Sequence, residues 1–485
     1  MILHLTNDVD GYRQFLKVKA LPRYEIHGRM AWFPDEYAAA VGVKASKRKA
    51  GKYVSRPGLF DYQRAIIEMA VERKRFAIFA DCGLGKTLML LEFARHVRDS
   101  VPDKPVLIVS PLMVVSQTVA ECERFYGDTL PIEIVPAKSL AKWMNTPGGR
   151  IGITNYDALK DDTPDGDLAG LILDESSMLK SHYGKWGQVC LRLGKGVEWK
   201  LALTGTPAPN DRIEYANHAV FVDAFPNVNS FLAKFFINRG QTSERWELKP
   251  HALRPFYRAL SHWCIFLTDP STYGWKDNVH SIPPIHVHID DVRLSAEQDK
   301  AVQVMTGQLF VTELGGITTR AKLSRLAKCE NSTKPQYIVD MVREWPDEST
   351  IIWCRYNDEQ DLLAKMLPES ASIDGKTSQA DRERIVDDFK AGRVRVLITK
   401  PKILGFGLNL QVCTRQVFSG LQDSYEEYYQ AVKRSNRVGS TRPLNVHIPV
   451  TDIERPMVEN VLRKAARIEA DTREQEEMFR EAATK

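Results

Sequence analysis

The chain has 485 residues, 43% of them hydrophobic, so it is long enough for two or three domains with buried cores. Its formal net charge of +5 suits a polyanionic partner but does not establish one, because modest net charge mainly reports solubility. Seven cysteines without a CxxC pair argue against a zinc module or a disulfide framework. No apolar run approaches the ~20 residues of a membrane span, and no signal peptide is recognisable. We therefore expect a cytoplasmic protein with no membrane partner.

Short apolar, β-branched segments alternate with helical patterns in both halves of the chain. Such segments are typical of buried parallel strands, so we expect an α/β fold with two doubly wound units in tandem. The strands predicted in the first half are Arg75–Phe79, Val106–Ser110, Ile151–Thr154, Leu171–Leu173 and Lys200–Leu203. Those predicted in the second half are Thr350–Cys354, Val394–Ile398, Gln416–Phe418 and Asn445–Ile448, with a helix over Asp381–Lys390.

These patterns divide the chain into five regions. We expect an N-terminal accessory region over 1–54, a first lobe over 55–220, a helical, aromatic-rich inter-lobe element over 221–280, a second lobe over 281–454 and a charged, solvated C-terminal helix over 455–485. The N-terminal region ends in Lys44–Lys52, which holds five basic residues and no acid. That segment either extends a nucleic-acid track or is a solvated linker, and the sequence favours neither.

A phosphate-binding loop is the strongest local signal. AxxGxGKT, at Ala80–Thr87, follows a predicted strand and opens a predicted helix. Gly83 and Gly85 let the backbone N–H groups turn toward phosphate oxygens, and the helix N-terminus adds a favourable dipole. Lys86 can reach the β- and γ-phosphates, and the Thr87 hydroxyl can hold Mg²⁺. The pattern predicts nucleotide binding but not the use made of the energy.

Polar side chains also follow two other predicted strands. Asp174 and Glu175 come directly after Leu171–Leu173, at the strand end where α/β sheets bind ligands. We expect Asp174 to bind Mg²⁺ and Glu175 to polarise the attacking water. Thr204 and Thr206, in Leu203–Pro207, either couple the nucleotide site to a bound strand or only cap a turn.

Two arginines near the end of the second half are candidates for the γ-phosphate. Arg434 and Arg437 are three residues apart, a spacing that places both on one face of a helix. Two cations on one face repel each other unless an anion lies opposite them. We therefore expect catalysis to need Lys86, Asp174 and Glu175 from the first lobe and both arginines from the second.

The order of these segments resembles the superfamily 2 helicase-like ATPases of the Swi/Snf branch, from about residue 55 to 450. The resemblance rests on an ordered series of motifs, which are Leu59–Gln63, Val106–Pro111, Ile153–Tyr156, Asp174–Lys180, Leu203–Asn210, Ile282–Gln298, Ile373–Arg384, Leu404–Leu410 and Gln430–Gly439. It implies two RecA-like lobes, ATP and Mg²⁺ as cofactors, and DNA as partner. It also suggests a compact bacterial or bacteriophage member. One departure is Ser177, which stands where the DEAH box has histidine.

The resemblance assigns further residues by position. Gln63 is similar to the glutamine that reads adenine, and the other implied nucleotide contacts are Cys82, Leu84, Leu88, Gly407 and Gln430. The implied DNA contacts are Pro111, Thr154, Thr206, Thr399 and Asn409.

We expect an ATP-dependent translocase or helicase that steps on mainly double-stranded DNA and remodels forks, junctions or bound proteins. Two alternatives stay open: an RNA-dependent helicase, and a nucleotide-gated DNA-binding scaffold with little motor activity. Duplex or branched DNA is the expected partner, in a bacterial or phage-infected cell, where the protein would associate with the nucleoid when bound to DNA.

Overall fold

The structure is a computed structural model. It describes residues 2–21, 24–33, 37–43, 53–181, 184–240, 245–277, 282–306, 317–329, 331–404, 409–421, 424–437 and 440–483. The chain forms two compact units. The first lobe comprises Met1–Val279 with Glu469–Lys485, and the second lobe comprises His280–Ile468.

The N-terminal region forms a small module with a core of its own. Its elements are β1 (Ile2–His4), α1 (Val9–Lys19), β2 (Glu25–His27), β3 (Met30–Trp32) and α2 (Ala38–Val41). The three strands form an antiparallel sheet in the order β1-β3-β2. Val18, Ala31 and Phe33 are fully buried in its core. The basic segment Lys44–Lys52 lies outside the described residues.

The first lobe is built on a seven-stranded parallel sheet in the order β12-β4-β9-β8-β5-β7-β6. Alternate strand residues enter cores on opposite faces, Phe79 on one side and Ile78 on the other, which is why these strands read as continuous apolar runs. The elements are α3 (Asp61–Arg73), β4 (Arg75–Ala80), α4 (Lys86–Ser100), β5 (Val106–Ser110), α5 (Leu112–Tyr126), β6 (Ile132–Ile134), α6 (Ala137–Met144), β7 (Ile151–Asn155), β8 (Gly170–Leu173), α7 (Lys185–Leu193), β9 (Trp199–Thr204), α8 (Tyr215–Phe221), α9 (Val228–Phe235), β10 (Phe236–Asn238), β11 (Trp246–Leu248), α10 (Leu253–Leu260) and β12 (Cys264–Leu267).

The aromatic region 221–280 differs from the helical element expected there. Helices α9 and α10 are present, but β10 and β11 form an antiparallel hairpin and β12 pairs with β4 in the parallel sheet. Phe231, Phe235 and Phe256 pack edge to face in the core of the first lobe. These phenylalanines are therefore core residues, and a strand of the first lobe lies within this region.

The second lobe contains a six-stranded parallel sheet in the order β13-β18-β17-β14-β16-β15. The elements are β13 (Ile285–Asp291), α11 (Ala296–Thr306), α12 (Ile317–Lys328), α13 (Thr333–Arg343), β14 (Thr350–Trp353), α14 (Asn357–Met366), β15 (Ala371–Ser372), α15 (Gln379–Lys390), β16 (Val396–Thr399), α16 (Pro401–Leu404), β17 (Arg415–Phe418), α17 (Tyr425–Ser435), β18 (Leu444–Val450) and α18 (Arg455–Ala483). The expected fold class, two α/β lobes with parallel sheets, is confirmed.

The C-terminal helix α18 is less solvated than its charge pattern suggests. In the second lobe, Val458 and Val461 are buried in the core. In the first lobe, Met478 and Phe479 are buried, Glu476 accepts a hydrogen bond from the Thr268 hydroxyl (2.6 Å), and Asp471 forms an ion pair with Arg212. The helix is therefore packed within the fold rather than a solvated tail. Within the described ranges, no helix has both the length and the apolar character that crossing a membrane requires.

A buried ionic triad lies in the second lobe. The Glu454 carboxylate accepts hydrogen bonds from the ammonium groups of Lys328 (2.8 Å) and Lys334 (2.7 Å). All three side chains are at most 4% exposed. Despite burial, which acts to raise it, the pKa of Glu454 falls to about 2, because the two cations favour the charged carboxylate.

Glu454→Gln is expected to destabilise the second lobe by about 3–5 kcal/mol, because it leaves two buried ammonium groups without their counter-ion. The folded pKa lies below the usual 4.5, so the carboxylate's contribution is fully present above pH 4.5 and is lost as the pH falls toward 2. Urea unfolding of both variants at pH 7 measures the difference. Glu459→Gln, an exposed change five residues along, is the control; equal stability of the two variants would contradict the prediction.

Candidate nucleotide-binding and catalytic site

The phosphate loop has the backbone conformation that its glycines predict. Gly83 and Gly85 have φ values of 87° and 73°, in the left-handed region that favours glycine. A Cβ atom at position 85 would lie 2.3 Å from the Gln63 amide nitrogen. Helix α4 begins at Lys86, and its N-cap Gly85 provides no side-chain cap. The first-turn N–H groups therefore form a helix N-terminus suited to an anion.

Lys86 lies over the loop from which it projects. Its Nζ donates to the carbonyl oxygens of Ala80 (2.8 Å) and Asp81 (3.2 Å). Thr87, the next residue of α4, is half-buried. The cation and the hydroxyl expected to meet phosphate and Mg²⁺ thus lie at the carboxyl end of β4.

The two acidic residues follow β8 in a tight turn. Asp174 is 6% exposed; its Oδ2 accepts from the Ser110 hydroxyl (2.9 Å) and its Oδ1 from the Glu175 N–H (3.0 Å). Burial, with the nearby charge of Glu175, raises the pKa of Asp174 to about 7. Glu175 itself has φ 45° and ψ 52°, a left-handed conformation that is costly for a residue with a Cβ atom. A bound cation would relieve the buried negative charge.

The threonines after β9 join this turn. The Thr204 hydroxyl donates to Glu175 Oε2 (3.4 Å) and accepts from the Thr206 N–H (3.1 Å). Thr204 therefore caps the turn and contacts Glu175, while its coupling of the nucleotide site to a bound strand stays a prediction. The Thr206 hydroxyl is buried and makes no hydrogen bond with the described part of the chain.

Four neighbouring strands of the first sheet bring these groups to one edge. In the sheet order β4-β9-β8-β5, the phosphate loop follows β4, Thr204 ends β9, the acidic pair follows β8 and Ser110 ends β5. Carboxyl ends of parallel strands form the usual ligand-binding edge of an α/β sheet. Ser110 was not singled out from the sequence, although its position at a strand end is the signal that could have found it.

Gln63 contacts the loop rather than facing open solvent. It lies on α3, is 3% exposed, and its amide nitrogen is 3.4 Å from the Leu84 carbonyl oxygen. Its Oε1 accepts from the Phe60 N–H (3.1 Å). Both ends of the amide have partners within the first lobe, so adenine reading by Gln63 remains a prediction. Cys82 and Leu84 are buried in the same loop, and Leu88 is half-buried on α4.

In the second lobe the expected arginine pair does not share a helix face. Gln430 and Arg434 lie on α17, where Arg434 donates to Gln430 Oε1 (2.7 Å). The helix ends at Ser435, and Asn436 is extended (φ −93°, ψ 93°), so Arg437 lies beyond it. The Ser440 hydroxyl donates to the Ser435 carbonyl (2.7 Å) and accepts from the Arg437 N–H (3.2 Å). Serine and asparagine side chains form such turns in competition with the helix. The helical spacing argument was therefore wrong for Arg437.

The expected DNA contacts occupy different environments. Thr154 and Thr399 are buried, and their hydroxyls donate to the carbonyls of Val135 (2.8 Å) and Ile373 (2.9 Å) within their own lobes. Pro111 is the half-buried N-cap of α5, and Asn409 is exposed. Gly407 lies outside the described residues.

No group of three or more His, Cys, Asp or Glu side chains among the described residues is arranged to hold a metal ion. Mg²⁺ does not require such a group, because it usually keeps several waters and binds one or two carboxylates together with substrate phosphates. The Thr87 hydroxyl and the Asp174 carboxylate are hard oxygen donors of the appropriate kind. The residues present therefore fit Mg²⁺.

Two family models match the chain. A SNF2-related domain matches residues 62–336, more than half of the chain, and a helicase conserved C-terminal domain matches residues 333–439. The two matches meet near the start of α13.

Several curated proteins are similar over most of the chain. Protein p41 of Acyrthosiphon pisum secondary endosymbiont phage 1 is 24% identical over 428 residues, covering 80% of this chain and 91% of p41. The DNA annealing helicase and endonuclease ZRANB3 of Mus musculus is 22% identical over 81% of this chain, and the ATP-dependent DNA helicase DDM1 of Arabidopsis thaliana is 22% identical over 76%. The chain spans only 38% and 55% of these last two proteins.

Among solved structures, a Sulfolobus solfataricus SWI2/SNF2 ATPase core in complex with double-stranded DNA aligns at 18% identity and a TM-score of 0.40, over 82% of this chain and 89% of that one. The phosphate loop and the acidic turn both lie within the SNF2-related match, and the helicase C-terminal match follows it along the sequence. The chain belongs to the SNF2-related family of ATP-hydrolysing helicases and translocases.

Proposed function

We propose that this chain couples DNA-stimulated ATP hydrolysis to stepping along mainly double-stranded DNA, and so remodels forks, junctions or bound proteins. The main support for the proposal is the arrangement at the edge of the first sheet, where the phosphate loop, Thr204, Glu175 and Asp174 lie at the carboxyl ends of adjacent strands. Family membership supports the use of ATP.

The first lobe would hold the nucleotide. The N–H groups of the loop and of the first turn of α4 would bind phosphate oxygens, and Lys86 would exchange its two carbonyl partners for the β- and γ-phosphates. Thr87 and Asp174 would hold Mg²⁺, which supplies positive charge against the phosphate oxygens. Ser110 would fix the orientation of the Asp174 carboxylate.

Glu175 would orient and polarise the attacking water. Its carboxylate is tied to Thr204, and its backbone is held in the left-handed conformation. Each constraint reduces the freedom of the carboxylate, and catalysis by positioning depends on that reduction.

Arg434 and Arg437 would complete catalysis by contacting the γ-phosphate when the lobes close. Arg434 is oriented by Gln430, while Arg437 projects from the turn beyond α17. Arginines acting in this way contribute about 10³–10⁵-fold in phosphoryl transfer. Loss of the γ-phosphate after hydrolysis would release the arginines, and the lobes would relax by one step along the nucleic acid.

DNA is favoured over RNA because two relatives are named as DNA helicases. Contacts at Pro111, Thr154, Thr206, Thr399 and Asn409 would be mainly to the phosphate backbone, so binding should be nearly independent of sequence and sensitive to salt. Thr154 and Thr399 would first have to give up their internal hydrogen bonds to offer their hydroxyls to DNA.

ATP turnover in the presence of single-stranded, duplex and forked DNA and of RNA, at one salt concentration, tests the proposal. Turnover should be low without nucleic acid and should rise most with duplex or forked DNA. Stimulation by RNA alone would establish the RNA-dependent alternative. Low turnover with every ligand, unchanged by Glu175→Gln, would instead indicate the nucleotide-gated scaffold.

Lys86→Ala is expected to weaken ATP binding roughly 10- to 100-fold, because charge-assisted hydrogen bonds are worth about 1.5–3 kcal/mol. Titration of a fluorescent ATP analogue measures the change. Lys142→Ala, at an exposed position on α6, is the control and should bind as the unmodified chain does. Equal ATP affinity of the two variants would show that Lys86 does not bind the phosphates.

A further inference from the structure

A buried histidine that no sequence motif identifies contacts the acidic turn. His218, on α8, is fully buried, and its Nε2 lies 3.0 Å from the Ser176 hydroxyl. Ser176 directly follows Glu175 and is itself fully buried. The contact joins residues 42 positions apart in the chain.

Further contacts fix the imidazole in place. Its Nδ1 is 3.3 Å from the Glu214 carbonyl oxygen, one helical turn earlier. The ring packs edge to face on Phe79, with centroids 5.2 Å apart, and Phe79 lies in β4, which leads to the phosphate loop. Burial lowers the pKa of His218 to about 4, so the ring is neutral near pH 7. The histidine is therefore a neutral hydrogen-bonding group held on both sides.

Asn217, next to His218 on α8, contacts the far end of the segment that follows Glu175. Asn217 Nδ2 donates to the carbonyl oxygens of Leu179 (2.6 Å) and Ser181 (2.9 Å). Helix α8 thus contacts the segment after Glu175 at both ends. The helix is also connected in sequence to the Thr204 turn, through Asn210 and the short helical turn Arg212–Glu214.

These contacts bear on Glu175 because its backbone is strained. A non-glycine residue keeps a left-handed conformation only where its surroundings hold it there. Thr204 holds the side chain of Glu175, and His218 holds the next residue, Ser176. One contact is thus on the strained residue itself and the other on the residue that follows it.

We propose that His218 is a positioning residue for ATP hydrolysis, which holds Ser176 and thereby fixes the orientation of the Glu175 carboxylate toward the attacking water. It supplies an imidazole to a turn that carries Ser177 where the resembled box has histidine. Because α8 continues from the Thr204 turn, movement of that turn would be transmitted to Glu175 through both attachments. The inference rests on the proposed role of Glu175.

The test compares His218→Leu, which has similar volume but cannot hydrogen-bond, with His218→Gln, whose amide oxygen can accept from the Ser176 hydroxyl in place of Nε2. His218→Leu should lower kcat for ATP by about 10²-fold, the cost of a small misplacement of a catalytic group, while KM changes less than about threefold. His218→Gln should recover most of kcat. Ser176→Ala should reproduce the defect, and the Ser176→Ala/His218→Leu double variant should be no worse than either, because both remove one contact.

His96→Leu is the matched control. His96 is also buried in the first lobe, lies 3.3 Å from a serine hydroxyl (Ser100) and packs edge to face on Trp199. It is ten residues beyond Lys86 on α4, about 15 Å along the helix. His96→Leu should lower the melting temperature comparably and leave kcat per folded molecule unchanged.

Two outcomes would overturn the inference: a kcat for His218→Leu within about twofold of the unmodified chain, or losses in Ser176→Ala and His218→Leu that multiply in the double variant. Glu175→Gln, measured in parallel, distinguishes failure of the role proposed for His218 from failure of the role proposed for Glu175. If Glu175→Gln is inactive while His218→Leu is fully active, only the role of His218 fails. If Glu175→Gln hydrolyses ATP normally, the proposed catalytic role of Glu175 fails as well.

Discussion

Arg437→Ala is expected to bind ATP nearly as tightly as the unmodified chain and to hydrolyse it about 10³–10⁵-fold more slowly. The phosphate loop lies entirely in the first lobe, so removing a second-lobe cation leaves ground-state binding to Lys86 and the loop amides intact. The rate of hydrolysis falls because the transition state, in which charge develops on the γ-phosphate oxygens, loses a stabilising cation. Single-turnover hydrolysis, with binding of a fluorescent ATP analogue measured separately, distinguishes the two effects.

Two further variants sharpen this experiment. Arg437→Lys keeps the charge but not the planar fork of donors, so it should be intermediate. Arg442→Ala removes an exposed arginine five residues further along, paired with Glu348, and should retain full turnover. Hydrolysis by Arg437→Ala at the unmodified rate would show that Arg437 is not part of the catalytic machinery.

Glu175→Gln is expected to lower kcat by about 10²–10⁴-fold with little change in ATP affinity. The amide keeps the size of the side chain and can still accept from Thr204, but it cannot polarise water as a carboxylate does. Rapid-quench hydrolysis and nucleotide titration measure the two quantities.

The control for Glu175→Gln lies on the same sheet. Glu198→Gln changes an exposed glutamate beside the amino end of β9, at the edge opposite the site, where it pairs with Lys74. That variant should hydrolyse ATP normally. Matched rates for Glu175→Gln and Glu198→Gln would contradict the assignment of Glu175.

Much of the fold was predictable because buried parallel strands are apolar on both faces. All nine strands expected from such runs are present, with ends shifted by a few residues. Most of the strands that were not predicted lack that signal. β6 and β15 are only three and two residues long, and β13 has mostly exposed residues, Val287 and Ile289 among them. β12 is apolar but lies in an aromatic region that fits neither helical nor strand periodicity.

The candidate site likewise contains residues that the sequence could predict and residues that it could not. The phosphate loop and the acidic pair could be recognised because each directly follows a predicted strand. Arg437 was misplaced because a spacing of three residues implies a shared face only where the helix continues, and the helix ends at Ser435. His218 could not be found from sequence, since its partner is 42 residues away and its importance comes from tertiary contact alone.

The most direct test measures ATP turnover by the unmodified chain and by Arg437→Ala, each with and without blunt duplex DNA at fixed salt. If the second lobe completes the catalytic site and DNA promotes that step, duplex DNA should raise ATP turnover greatly in the unmodified chain and hardly at all in the variant. Equal stimulation of both proteins, or turnover indifferent to duplex in the unmodified chain, would contradict it.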